Sequence, residues 1–179
     1  MAGDALKARL VAGAQQLGIA LDAVQAGALM HLVAELRDWN KRMNLTAITE
    51  PVDMVDKHLL DSLTIQPHLR GRRIADIGTG AGFPGLPLAV VNPRRDFTLI
   101  EATGKKVQFV RHAIEALNLG NVEVVQARAE SWRPRTAFDC VIAHALGKLA
   151  DFARAAAQPR ARTLAQVAKE KGFWTEIHD

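Results

Sequence analysis

The chain has 179 residues, enough for one domain with a sizeable core. Hydrophobic residues make up 49% and charged residues 23%, an ordinary balance for a soluble globular protein, and no apolar run approaches the roughly 18 residues that a membrane helix needs. The net charge of +4 favours an anionic partner such as nucleic acid. Met1-Ala2-Gly3-Asp4 does not open a basic region followed by a continuous apolar one, so no secretory signal is expected, and the single cysteine, Cys140, cannot form an internal disulfide. Both features fit a cytoplasmic protein.

The first third reads as helical. Leu6, Leu10, Ala14 and Leu17 recur at helical spacing, with Gly18 as the expected C-cap. Asp22 is placed to cap a second helix carrying Val24, Ala28, His31, Leu32 and Leu36 towards Trp39, an expected core residue. A polar run, Asn40-Lys41-Arg42-Met43-Asn44-Leu45-Thr46, interrupts the pattern. A third helix is expected from Pro51, capped by Thr49, through Val55, Leu59 and Leu63 to Pro67.

From Arg72 the pattern alternates. Strands are expected at Arg73 to Ile77, Phe97 to Glu101, Val122 to Gln126 and Phe138 to Ala143. A helix follows the first strand. A second, capped by Thr103, carries Val107, Val110, Ile114 and Leu117 and closes near Gly120. The alternation predicts an α/β fold, a Rossmann-like parallel sheet with helices on both faces. After Ala145 no further strand is evident: Ala150 to Ala168 is rich in Ala and Arg, with Pro159 splitting two helix-like pieces. The expected division is a helical extension over 1–68, a Rossmann-like core over 69–152 that is incomplete at its C-terminal end, and a divergent tail over 153–179, helical or disordered.

Asp76-Ile77-Gly78-Thr79-Gly80-Ala81-Gly82-Phe83-Pro84-Gly85 lies between the first strand and its helix. Gly80, Gly82 and Gly85 satisfy the dinucleotide pattern, and Glu101 follows at the distance of a ribose partner. Asp76, Gly78, Gly80 and Gly82 also satisfy an S-adenosylmethionine pattern. Asp76 would repel a pyrophosphate and attract the cationic α-amino group of the methyl donor, so the methyl donor is favoured over a nicotinamide cofactor. Four glycines this close cost chain entropy unless the backbone must approach something closely. Asp76, Glu101 and Glu130 mark the ends of consecutive strands and point to one crevice.

Trp39 to Thr46, His58-Leu59-Leu60-Asp61-Ser62-Leu63 and the glycine loop together resemble the RsmG (GidB) methyltransferases. Gly104-Lys105-Lys106-Val107-Gln108-Phe109 and Phe138-Asp139 continue the likeness, which covers roughly residues 5 to 152. The resemblance implies methyl transfer from S-adenosylmethionine to N7 of a guanine in 16S ribosomal RNA, with the RNA or the small ribosomal subunit as partner. It implies no membrane association, and a monomer is expected. It also implies cofactor contacts at Gly78, Phe83, Ala129 and Glu130, beside Asp76, Gly80, Gly82 and Glu101. The family usually has Ser-Arg-Ala after the fourth strand, where this chain has Ala143-His144-Ala145. His144 takes the place of a cofactor-binding arginine, and residues 153–179 show no likeness. A cofactor- or RNA-binding remnant without catalysis and a nucleotide-dependent oxidoreductase are the alternatives.

Guanine N7 has no proton to lose, so no catalytic base is sought. Cys140 lies in an apolar strand, as a buried structural thiol does. His58 and Asp61, three apart, are expected to make helix-surface or helix-to-domain hydrogen bonds. Asn40, Asn44 and Thr46 have structural or substrate roles. His31, His68, His112 and His178 lack metal-ligand spacing, and no metal is assigned. Short basic groups (Lys41-Arg42, Arg70 with Arg72-Arg73, Arg94-Arg95, Lys105-Lys106, Arg133 with Arg135, Arg160 with Arg162) are candidates for phosphate contacts. Lys41, Arg42, Asn44, Lys105 and Lys106 are the candidate RNA-binding residues.

Overall fold

The computed structural model describes residues 1–144, 163–168 and 173–178. Helix α1 (Ala2–Gln16) buries Leu10 and Ala14. Its C-cap is Leu17, and Gly18, one residue on, takes the left-handed φ of +79° that reverses the chain. Helix α2 (Ala23–Met43) starts on a reciprocal cap: the Gln25 N–H donates to Asp22 Oδ1 at 2.7 Å, and the Asp22 N–H donates to Gln25 Oε1 at 3.1 Å. Ala26, Leu29, Leu32, Val33 and Leu36 form its buried stripe, which corrects the expected face: Leu32 and Leu36 are in it, whereas Val24 and His31 lie on the exposed side and Ala28 is half-buried at the margin. It ends at Asn44, whose φ of 48° and ψ of 56° are left-handed.

The third helical run differs from expectation in two ways. Its N-cap is Glu50 rather than Thr49, and Glu50 makes no capping bond through its side chain. Its helix α3 (Pro51–Met54) widens into a π-helical segment (Val55–Leu60) before α4 (Asp61–Leu63). Such widening absorbs an extra residue and commonly marks a functional site. Arg9 of α1 grips this segment through a two-pronged bond to Asp56, at 2.8 and 2.6 Å, which holds the Asp56 carboxyl below its ordinary range.

The sheet contains β1 (Arg73–Ile77), β2 (Asp96–Glu101), β3 (Val122–Gln126), β4 (Cys140–His144), β5 (Thr163–Ala168) and β6 (Phe173–His178), in the order β3-β2-β1-β4-β5-β6. Neighbours are parallel from β3 to β5, and β6 is antiparallel to β5. The expected end of the strands after Ala145 is therefore corrected: β5 pairs Thr163 with Cys140 and β6 returns beside it. The expected helix-like piece reaching Ala168 is a strand over 163–168, because pairing with β4 overrides the helical preference of its alanines. Arg160, Arg162 and the split at Pro159 lie outside the described residues.

Helix α5 (Gly85–Val91) follows β1, and α6 (Gly104–Ala116) follows β2. Thr103 is the N-cap of α6 but makes no side-chain capping bond, and the turn after α6 is made by Asn118 with a φ of 52° rather than by Gly120. Side chains alternate across the sheet as a two-residue period requires. Ile74, Phe97, Leu99, Cys140 and Ile142 join one core with Leu10, Leu29, Leu86 and Phe109 of the helices. Ala75, Ile77, Ile100, Val141 and Ala143 form the other face, met by Phe138, Ala127, Ala129 and Trp132. Among the described residues the helices share the first core. Trp39 bridges α2 to α6 there: its ring is half-buried, stacks on His112 at 4.8 Å and meets Phe109 edge-on at 5.8 Å.

Beside Trp39, Glu35 accepts from both His112 of α6 and His31 of its own helix. The bond to His112 is the main cause of a carboxyl held below its ordinary range, a second bond from His31 adds to it, and partial burial opposes both. A depressed carboxylate stabilises the fold above its unfolded pKa, and that stability is lost as pH falls through the folded value. Glu35→Gln is expected to lower the denaturation midpoint at neutral pH and to flatten the loss of stability below about pH 4.3. Denaturant titrations across pH check this; an unchanged acid limb counts against the bridge.

Candidate functional site

A reversal of strand order lies at β1: the chain moves outward through β2 and β3 and returns to β4 on the other side. Ligands of open parallel sheets bind beyond the carboxyl ends at such a point. Here Asp76 is the penultimate residue of β1, Glu101 closes β2, Ala129 and Glu130 follow β3, and His144 closes β4. The backbone thus brings every expected cofactor residue to one edge. Nothing is described of the His144 side chain.

Two carboxylates shape the glycine loop. Asp76 is fully buried, and its Oδ2 accepts from the Thr79 hydroxyl at 2.6 Å and from the Gly85 N–H at 2.9 Å. It braces the loop from beneath. Glu101, 9% exposed, accepts from the Gly80 N–H at 2.9 Å through Oε2 and from the Thr103 N–H at 3.2 Å through Oε1. It ties the loop to the start of α6. The Gly78 and Thr79 N–H groups both donate to the Ile100 carbonyl, at 2.9 and 3.0 Å.

The glycines divide by what surrounds them. Gly80 has a φ of +61°, and a Cβ there would meet no heavy atom of the described residues within 4 Å. The backbone is bare on that side, as a cradle for a ligand must be. Gly82, at a φ of +98°, would place a Cβ 2.3 Å from Leu86, so its smallness serves packing as well as the turn. Phe83 is 6% exposed and lies in the main core. Glu130 is exposed and Ala129 half-buried on the connection after β3, which is joined to β2 by the Ala127 N–H donating to the Glu101 carbonyl at 3.1 Å.

Sequence reasoning left Asn40, Asn44 and Thr46, in the polar run that closes α2, between structural and substrate roles, and missed what they contact. Asn40 Oδ1 accepts from the Thr46 N–H at 2.9 Å, Thr46 Oγ1 lies 3.0 Å from His58 Nε2, and the His58 ring stacks on Phe83 with centroids 4.6 Å apart. Side chains from all three motif blocks therefore form one chain leading into the glycine loop. The only signal in the sequence was their joint presence. Thr79 was also missed, although it follows Asp76 by three residues inside the motif.

The basic groups separate by edge. On the glycine-loop side Lys105 Nζ donates to the Asn44 carbonyl at 3.3 Å, and Asn44 lines one cleft with Lys41. Lys106 follows on the first turn of α6. Arg42 pairs with Asp38 at 3.6 Å and lies over the Trp39 ring. Arg72, Arg73, Arg94 and Arg95 stand at the amino edge, where β1 and β2 begin, and Arg72 pairs with Asp96 at 2.9 Å. Of the candidate basic groups, Lys105 and Lys106 thus stand on the glycine-loop side and Arg72, Arg73, Arg94 and Arg95 at the opposite edge.

Residues 25–178 match the family model described as rRNA small subunit methyltransferase G. The chain belongs to this family. The match runs through 153–178, which corrects the expectation of no likeness there, and it includes β5 and β6. The ribosomal RNA small subunit methyltransferase G of Aeromonas salmonicida (strain A449) is 45% identical over 137 residues, 76% of this chain and 66% of that protein. Its namesake from Stutzerimonas stutzeri (strain A1501) is 49% identical over 146 residues, 80% of this chain and 68% of that protein. The chain thus spans about two thirds of the length of these relatives. A SAM-dependent methyltransferase from Aquifex aeolicus shares the fold, with a TM-score of 0.52 at 20% identity over 68% of this chain and 72% of that one. Among the described residues no helix is long and apolar enough to cross a membrane.

Proposed function

We propose that this chain binds S-adenosylmethionine over the carboxyl ends of β1, β2 and β4 and transfers its methyl group to N7 of a guanine in 16S ribosomal RNA. The observation that carries the reading is the convergence of the three motif blocks on one glycine loop, through Asn40, Thr46, His58 and Phe83. Family membership favours the methyl donor over a nicotinamide cofactor. The bare backbone at Gly80 and the acids at the strand ends fit a ligand carrying an adenosine and a cationic amino-acid tail.

In this reading Gly78, Gly80, Gly82 and Phe83 form the cradle. Glu101 offers oxygens to the ribose hydroxyls, and Ala129, Glu130 and His144 border the rest of the cofactor. Asp76 contributes negative charge from below. S-adenosylmethionine supplies a methyl group already activated by its sulfonium. The in-plane lone pair of N7 would take the methyl as its bond to sulfur breaks, leaving neutral S-adenosylhomocysteine and a cationic 7-methylguanine, so the protein need not take up a proton. The work of the residues is alignment and exclusion of water, which is proximity catalysis. The enzyme acts as a cytoplasmic monomer on RNA or on small ribosomal subunits.

The test is transfer of labelled methyl from S-adenosylmethionine to 16S RNA and to small subunits, followed by mapping of 7-methylguanine. Label at N7 is expected; no label, or label at another atom, rejects the reading. RNA affinity should also fall with salt, by about 0.7 in log K per log salt for each phosphate neutralised on a single strand. Cofactor affinity, measured in the same buffers, should change far less.

A further inference from the structure

We propose that the cleft between the last turns of α2 and the 44–50 connection seats phosphates of the RNA strand beside the methylated base, with Arg37 and Lys41 as the phosphate contacts. The inference rests on the methyltransfer reading above. The cleft measures about 500 Å³ and is lined by Arg37, Asn40, Lys41, Asn44, Thr46 and Thr49, together with two apolar residues; none of its lining residues is acidic. Arg37 and Lys41 are exposed, stand one turn apart on α2, and have no carboxylate partner among the described residues. On the neighbouring row of the same helix Arg42 does have one, Asp38.

Like charges four residues apart repel one another along a helix face and destabilise it slightly. A place in the last turn explains Lys41, because cations there complement the helix dipole. It does not explain Arg37, which lies more than a turn further back. An anion shared by the two accounts for both. Asn40, between them, accepts the Thr46 N–H with its oxygen, and its NH₂ group has no acceptor among the described residues. The cleft therefore offers donors and positive charge and no negative charge.

Its position suits a strand entering the site. Thr46 lines the cleft and touches His58, which stacks on Phe83 of the glycine loop. Asn44 lines it too, and its carbonyl holds Lys105 at the start of α6. A strand seated here lies one residue layer from the loop proposed to hold the methyl donor. RNA substrates of sequence-specific enzymes present unpaired, splayed nucleotides whose phosphates are available to such a seat.

The experiment compares the full chain with the double variant Arg37→Gln, Lys41→Gln and with Arg94→Gln at the opposite edge, binding each to naked 16S RNA and to small subunits across salt. S-adenosylmethionine affinity by calorimetry and thermal melting are measured alongside. The double variant is expected to bind RNA at least about tenfold more weakly at low salt, with a salt slope shallower by about 1.4, and to keep its melting temperature and cofactor affinity. Arg94→Gln should change neither slope nor affinity. An unchanged slope in the double variant overturns the phosphate seat while leaving the methyltransfer reading intact. Weakened binding to subunits but not to naked RNA also overturns it, and assigns the cleft to an acidic protein surface. An unaltered chain that binds no RNA and transfers no methyl group overturns both readings together.

Discussion

Gly80→Val should leave the chain folded and abolish S-adenosylmethionine binding. The two effects separate because the surroundings of Gly80 are open. No atom of the described residues lies within 4 Å of the Cβ position, so the side chain clashes with none of them. The cost to stability is conformational. A φ of +61° is left-handed, which costs an L-residue about 1–2 kcal/mol and a β-branched one somewhat more. A domain with about 5–15 kcal/mol of stability survives that. The ligand does not tolerate the change, because the branched carbons fill the side on which the backbone is bare. Gly85→Ala provides the contrast. Its Cβ would lie 2.2 Å from Leu99 Cδ2 and 2.8 Å from Asp76 Oδ2, so it should destabilise the fold by about 1–3 kcal/mol or more through overpacking. Calorimetry and denaturant melts on both variants read the difference. A folded Gly80→Val variant with normal affinity removes the glycine loop from the cofactor site.

Local chemistry made much of the fold legible. The Asp22 cap, Leu32 and Leu36 of α2, and the runs Arg73 to Ile77 and Val122 to Gln126 carry their own signals of capping, period and β-branching, and the strands fall at those residues. β5 carried no such signal. Its Thr163-Leu164-Ala165-Gln166-Val167-Ala168 suits a helix as well as a strand, and only pairing with β4 decides. The π-helical segment was hidden for a related reason. Its sequence keeps an ordinary helical period, and the widening comes with contacts that Arg9 and Thr46 make to Asp56 and His58. At the site, Asp76 and Glu101 were legible from strand-end position. The link from Thr46 through His58 to Phe83 joins residues 12 or more apart in sequence, and only the tertiary fold brings them together. The separation of Lys41 and Lys105 from Arg72 and Arg94 likewise follows from which end of a strand each lies nearest.

Asp76 was read in the sequence as a partner for the cationic amino group, yet it is fully buried and its Oδ2 is engaged within the loop. Two substitutions separate the brace from the charge. Asp76→Ala strips the acceptor from the Thr79 hydroxyl and the Gly85 N–H. Buried donors left unsatisfied cost about 1–3 kcal/mol each, so a loss of about 2–6 kcal/mol and a collapsed loop are expected. Asp76→Asn keeps an oxygen for those donors and removes the charge, so it should melt close to the unaltered chain. A unit charge several ångströms from an ammonium group, at the effective dielectric of a protein edge, is worth about 1–3 kcal/mol. S-adenosylmethionine should therefore bind Asp76→Asn about ten- to a hundred-fold more weakly. Adenosine, which lacks the amino-acid tail, should bind both proteins alike. An equal loss for adenosine would reduce Asp76 to a brace, and no loss for either ligand would take its charge out of recognition altogether.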